Sequence, residues 1–200
     1  MIDRIVKEID SSIRNENFLS ALALALTLPD VCGKAEYPTE GTGSRYKKWY
    51  DEYVGKYEKP PIIYSDEDPN KAVNDDMPYM SGEIVYSLRN CFLHQGTPNI
   101  EKERIREPRC QITHFTLTIA SAMNGGSSSV SRNCFMSDDR RTLEINIVNL
   151  CCKLCLVAKS YYKENKAKFN FFQYDLQDRR VDGVDILWGF SLSNDEDSDG

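Results

Sequence analysis

The sequence predicts a mainly α protein, an up-and-down helical bundle with a small β-hairpin inserted between a middle helix and the last long one. Three observations predict it. Apolar residues recur at helical spacing in several separate segments. Two segments in the second half instead alternate apolar and polar residues, as half-buried strands do. Finally, 200 residues of 22.9 kDa, 40% hydrophobic and 28% charged, can bury one sizeable core without covalent staples.

Taken in order, Ile2, Ile5, Val6, Ile9 and Ile13 put residues 2–14 on an amphipathic helix. A second helix over about 16–28 is rich in Ala and Leu, and Pro29-Asp30 is expected to stop it, with Cys32-Gly33 making a turn. A loop holding Gly41-Thr42-Gly43-Ser44 leads to an aromatic helix over 45–57, where Tyr46, Trp49, Tyr50, Tyr53 and Tyr57 share one face and are expected to pack in the core. Residues 59–74 are polar, contain three prolines and read as loop. The next helix, 77–94, has Pro78 suited to its first turn and Gly96 just past its end. Residues 111–119 and 142–147 alternate as two strands of the hairpin insertion, about 110–147, with the glycine-serine stretch 124–129 as its tip. Residues 148–162 return to helix through Leu150, Leu154, Val157 and Tyr161, and 169–190 are aromatic and less regular. Residues 1–190 are expected to form a single domain, and 191–200 an acidic disordered tail.

Charge and cysteine usage narrow the classes. With 25 basic against 31 acidic residues the net charge is −6, and the four acids of the tail account for most of it. This argues against broad, non-specific binding of nucleic acid, which needs a strongly positive surface. Seven cysteines, Cys32, Cys91, Cys110, Cys134, Cys151, Cys152 and Cys155, form no disulfide-like framework and read as reduced, mostly buried thiols. The apolar run from Phe18 to Leu28 is too short to span a bilayer, and charged residues precede it, so a cytoplasmic protein without membrane attachment is expected.

The informative segment is Ser81-Gly82-Glu83-Ile84-Val85-Tyr86-Ser87-Leu88-Arg89-Asn90-Cys91-Phe92-Leu93-His94-Gln95-Gly96. On a wheel of about 100° per residue, Met80, Ile84, Val85, Leu88, Cys91 and Phe92 fall in one apolar arc, and Glu83, Ser87, Asn90 and His94 line up opposite it. Arg89 falls beside that line with Tyr86 and Leu93, about 140° from His94 by the same pitch. A polar line on a helix ordinarily faces solvent, and a histidine in a last turn is favoured there by the helix dipole.

Arg89-Asn90-x-x-x-His94 resembles the signature of the HEPN superfamily (higher eukaryotes and prokaryotes nucleotide-binding). Leu28-Pro29-Asp30-Val31-Cys32-Gly33 and the strand-into-helix run 143–155 resemble a stand-alone bacterial subfamily found on plasmids and mobile elements. The resemblance implies a HEPN-like bundle and a metal-independent endoribonuclease, acting as a homodimer with a composite site. In that reading His94 serves as general base or acid, Arg89 holds the phosphate and stabilises its charge, and Asn90 hydrogen-bonds the imidazole or the phosphate. RNA would be cut by its own 2′-OH, leaving a 2′,3′-cyclic phosphate and a 5′-OH, so no cofactor is implied. Glu83, Tyr86 and Ser87 are candidate RNA contacts, as are the basic residues Lys102, Arg104 and Arg106, although glutamates interleave the last three and a solvated face is the plainer reading. Phage defence or a toxin-like role, with an antitoxin or regulatory protein as partner, is the setting the likeness suggests. Two other readings stay open: a non-catalytic HEPN domain that binds nucleotide, RNA or a protein, and a helical interaction protein whose polar line is a surface accident.

The remaining constellations point to structure. Cys151-Cys152-Lys153-Leu154-Cys155 contains a CxxC, but a zinc site needs four ligands and no second pair exists, so no metal site is expected. Gly41-Thr42-Gly43-Ser44 lacks the lysine of a phosphate loop, and His114 follows its strand register.

Overall fold

The computed structural model describes residues 1–58, 63–64, 72–73, 80–100, 112–119, 135–137, 140–172, 174 and 177. Among them are six α-helices: α1 (Ile2–Arg14), α2 (Phe18–Ala25), α3 (Leu28–Glu36), α4 (Thr42–Trp49), α5 (Gly82–Asn90) and α6 (Ile147–Glu164). The protein is mainly α, as its periodicity predicts. α6 packs against α1, α2 and α3, while α4 lies between α3 and α5.

The periodic residues do what their spacing dictates. Ile2 and Ile9 are fully buried, and Ile5, Val6 and Ile13 pack partly against the same core. Trp49, Tyr46 and Tyr50 are the bulkiest fully buried side chains, whereas Tyr57, assigned to the same face, is 54% exposed. The face is lost because α4 changes pitch after Trp49, passing through a π-helical turn (Tyr50–Val54) and then a 3-10 turn (Gly55–Tyr57). At that end Glu58, itself buried, lies 2.8 Å from the Lys153 ammonium of α6.

Three expectations are corrected. Pro29 is not followed by a turn at Cys32-Gly33, since both residues lie within α3. It breaks the apolar run after α2 and sits in the first turn of α3, where its missing N–H is no loss. The Thr27 hydroxyl donates to the Leu24 carbonyl at 2.7 Å in the break, and Gly33 lies inside α3, where a Cβ would stand 2.7 Å from the Arg45 carbonyl oxygen of α4. Phe18–Glu36, which spans this break, is the one stretch among the described residues long and apolar enough to cross a membrane, and half of its apolar window is buried inside the molecule.

The polar segment 59–74 is not all loop. It holds a short antiparallel pair, β1 (Ile63–Tyr64) with β2 (Ala72–Val73), and its prolines fall outside both strands.

The third correction concerns the insertion. β3 (His114–Thr118) and β5 (Arg140–Asn146) run parallel, Phe115 opposite Leu143 and Leu117 opposite Ile145. β4 (Phe135–Ser137) forms the antiparallel partner on the other side of β5. Period-two alternation identifies a strand and its inner face, here Phe115, Leu143 and Ile145, but carries no information on direction. The hairpin tip 124–129 and the tail 191–200 lie outside the described residues.

The sheet is fastened to both neighbouring helices. β5 leads straight into α6, whose N-cap Asn146 accepts from the Asn149 amide at 3.1 Å. The chain leaving α5 pairs beside β3, with the Ile100 amide donating to Thr113 and the Phe115 amide to Pro98.

Candidate functional site

α5 begins where the sequence allows a sharp N-terminus. The Ser81 hydroxyl caps it by accepting from the Ile84 amide, and Gly82 packs so tightly on α4 that a Cβ would lie 2.4 Å from the Lys47 carbonyl oxygen. Its amide donates to Asp51 Oδ1 at 2.6 Å. At the other end the α-helix stops at Asn90 and continues as a π-helical turn, Cys91–Gln95, closed by Gly96 in the left-handed conformation. Gly96 is thus the cap the sequence predicts.

That π turn corrects the wheel. A continuous α-helix sets Arg89 and His94 far apart around the axis, but i→i+5 bonding puts an extra residue into the turn and lowers the rotation per residue. His94 is brought back over Arg89, and Arg89 Nη1 lies 3.0 Å from His94 Nε2. A guanidinium has only donors, so this contact uses the lone pair of Nε2 and leaves the ring proton on Nδ1. The same Nη1 donates to Asn90 Oδ1 at 3.2 Å. The structure therefore brings Arg89, Asn90 and His94 together, with His94 exposed and the other two half-buried.

The opposite edge of the guanidinium meets a residue not singled out for the site from the sequence. Arg89 Nε donates to Asp30 Oδ2 at 2.8 Å, and Nη2 lies 2.8 Å from the same oxygen. Asp30 stands in the first turn of α3, 59 positions away in sequence. The Tyr46 and Tyr86 rings, 5.2 Å apart, each lie 5.8 Å from the guanidinium carbon, close enough for cation–π attraction. Burial pushes the Asp30 carboxyl above its usual range, against the opposing pull of Arg89, Arg45 and His94. Its second oxygen, Oδ1, is buried without a hydrogen-bond partner among the described residues, and so is Arg45 Nε.

The other candidates are divided. Tyr86 is half-buried under the start of α4 and beside Lys47, whose ammonium lies 5.8 Å from the ring centre. Glu83 pairs with that same Lys47 at 2.8 Å, which gives it a structural role between α5 and α4. Ser87 is only 4% exposed, so it belongs to the packed face and not to the line with Asn90 and His94. Lys102, Arg104 and Arg106 lie outside the described residues.

Asp30, Arg45 and Tyr46 are the charged and aromatic neighbours that sequence reasoning did not assign to the site. The one signal for Asp30 was its place in Leu28-Pro29-Asp30-Val31-Cys32-Gly33, which carries no indication of what it touches.

The cysteine cluster of α6 shows packing character. Cys151 is buried, Cys155 half-buried and Cys152 exposed, and burial pushes the Cys155 thiol up to about 12, far from the reactive thiolate range. Among the described residues no three His, Cys, Asp or Glu side chains converge as metal ligands. His114 Nδ1 lies 2.9 Å from Asn99 Oδ1, part of the join between the sheet and the chain leaving α5.

Comparison with family models, curated proteins and solved structures finds no match for this chain.

Proposed function

We propose that this protein is a metal-independent endoribonuclease of the HEPN type, working as a homodimer whose two motif turns face one substrate. The observation that carries the reading is the 3.0 Å contact between Arg89 Nη1 and His94 Nε2, with Asn90 on the same nitrogen of the arginine. It puts a base and a cationic fork at one spot, the two components that cleavage by an internal 2′-OH needs. The phosphate enters beside Nη1, takes over that donor and releases His94 Nε2. His94 then accepts the 2′-OH proton as the 2′-oxygen bonds to phosphorus. Arg89 stabilises the charge gathering on the non-bridging oxygens. The bond to the 5′-oxygen breaks, and His94 of the second copy, entering the cycle as the imidazolium, supplies its proton, so the two histidines exchange charge states. The products are a 2′,3′-cyclic phosphate and a 5′-OH. An acidic chain with one local cationic fork suits a small or structured RNA better than long non-specific RNA. A toxin-like or phage-defence role in the cytoplasm, restrained by an antitoxin or regulatory protein, is consistent with such an activity.

The test is cleavage of a mixed RNA pool in EDTA, wild type against His94→Ala, with end-group analysis. Cutting that leaves cyclic phosphate and falls by about 100-fold or more in the variant is the expected outcome for loss of a general base. No wild-type cutting across the pH range would favour the non-catalytic binding reading. Cutting that persists in the variant would remove His94 from the chemistry.

A further inference from the structure

We infer that Asp30 is a positioning residue for Arg89, fixing the guanidinium by its rear edge so that Nη1 is presented to His94 and the substrate. The inference rests on the reading of Arg89 as the phosphate-binding residue. An arginine side chain has several rotatable bonds, and holding it in one geometry costs rotamer entropy that a fixed partner must offset. Asn90 and His94 belong to the same end of α5, so without Asp30 they could follow the arginine wherever it turned. Asp30 comes from a different helix and, with the Tyr46 ring of α4, ties Arg89 to the rest of the fold, accepting from Nε and meeting Nη2 at 2.8 Å each. The two side chains are only 16% and 19% exposed, so solvent screens the pair less than a surface ion pair.

The placement of Asp30 is itself constrained. Pro29 starts the helix that carries it, and Gly33, one turn later, lets the Arg45 carbonyl of α4 come close. A carboxylate at a phosphate site is costly unless it serves the cation there, because it repels the substrate. Here it contacts the edge away from His94, where it neutralises Arg89 without occupying the nitrogen that the phosphate is to meet.

The contrast with a merely structural aspartate lies in the arginine and in the substrate constants. In the RNA-free wild-type protein, nitrogen-15 NMR is expected to show a slowly exchanging Arg89 Nε–H, assigned by its loss in Arg89→Lys. In Asp30→Asn that resonance is expected to lose its protection while the backbone spectrum is retained. On a short RNA oligonucleotide kcat is expected to fall by about tenfold to a hundredfold, the effect of a misplaced catalytic group. KM is expected to stay level or drop, because the freed cation still attracts phosphate. Asp30→Glu should restore part of kcat. A protected Nε–H in Asp30→Asn, or a wild-type kcat, would overturn the inference. If the wild type cuts no RNA, the ribonuclease reading fails on its own, and the Nε–H measurement still decides whether Asp30 fixes Arg89. If Asp30→Asn does not fold, Asp30→Ser takes its place in the NMR experiment, and a still protected Arg89 Nε–H there counts against the inference.

Discussion

At the scale of residues, the site is a chain of contacts that one arginine organises. Its two edges are divided between a helix 59 positions away and its own helix end, so its geometry is tertiary on one side and local on the other. The residues of the local half were legible in the sequence, because Arg89, Asn90 and His94 stand in one short stretch whose types suit phosphate chemistry, but their meeting was not, because the wheel sets Arg89 and His94 apart. The tertiary half was not, since nothing in the spacing of Asp30 ties it to Arg89. Burial also decides which polar residues can serve. Ser87 lies on the same wheel line as Asn90, yet the first is buried and the second only half-buried. Tests of His94 and Asp30 therefore probe the two halves separately.

At the scale of elements, helix contacts set the site by close approach of backbones, and glycines mark where. Gly82→Ala would place a methyl group 2.4 Å from the Lys47 carbonyl oxygen and 2.7 Å from Asp51 Oδ2, so α5 would have to move away from α4. The expected cost is about 2 kcal/mol or more, read by chemical denaturation. Gly41→Ala meets nothing within 4 Å and is the control, with a change within about 0.5 kcal/mol. A second prediction concerns α3 and α6. The Lys168 ammonium, 2.6 Å away, and the Tyr161 hydroxyl hold the Glu36 carboxyl below its ordinary value of 4.5. A depressed folded value means that this stabilisation is fully present above 4.5 and is lost as pH falls through the folded value. The difference in melting temperature between wild type and Glu36→Gln should therefore shrink on acidification, measured by a Tm series across that window. Helix faces were legible because burial follows a 3.6-residue period. The pitch changes after Trp49 and Asn90 were not, because a π turn has no sequence signature at this resolution of reading.

At the scale of the whole molecule, one core joins helices and sheet, and the sheet is where sequence reasoning reached least far. Alternation located β3 and β5 and their buried faces, but their parallel pairing depends on a long return path that leaves no local trace. The proposed dimer has its own test at this scale. Wild-type chains are mixed with increasing His94→Ala, exchanged, and assayed for cleavage. If each active unit needs two competent copies, a half share of wild type should leave about a quarter of the activity, whereas independent monomers would leave half. The π turn that meets Arg89 carries one more consequence, for descent. An α-turn brings residues four apart to the same side, and a π turn does so for residues five apart. The interval between arginine and histidine can then lose a residue, an α turn replacing the π turn, without parting the two side chains. Related chains could drift in length at Cys91–Gln95 and keep the same encounter, hidden from any comparison that demands a fixed spacing.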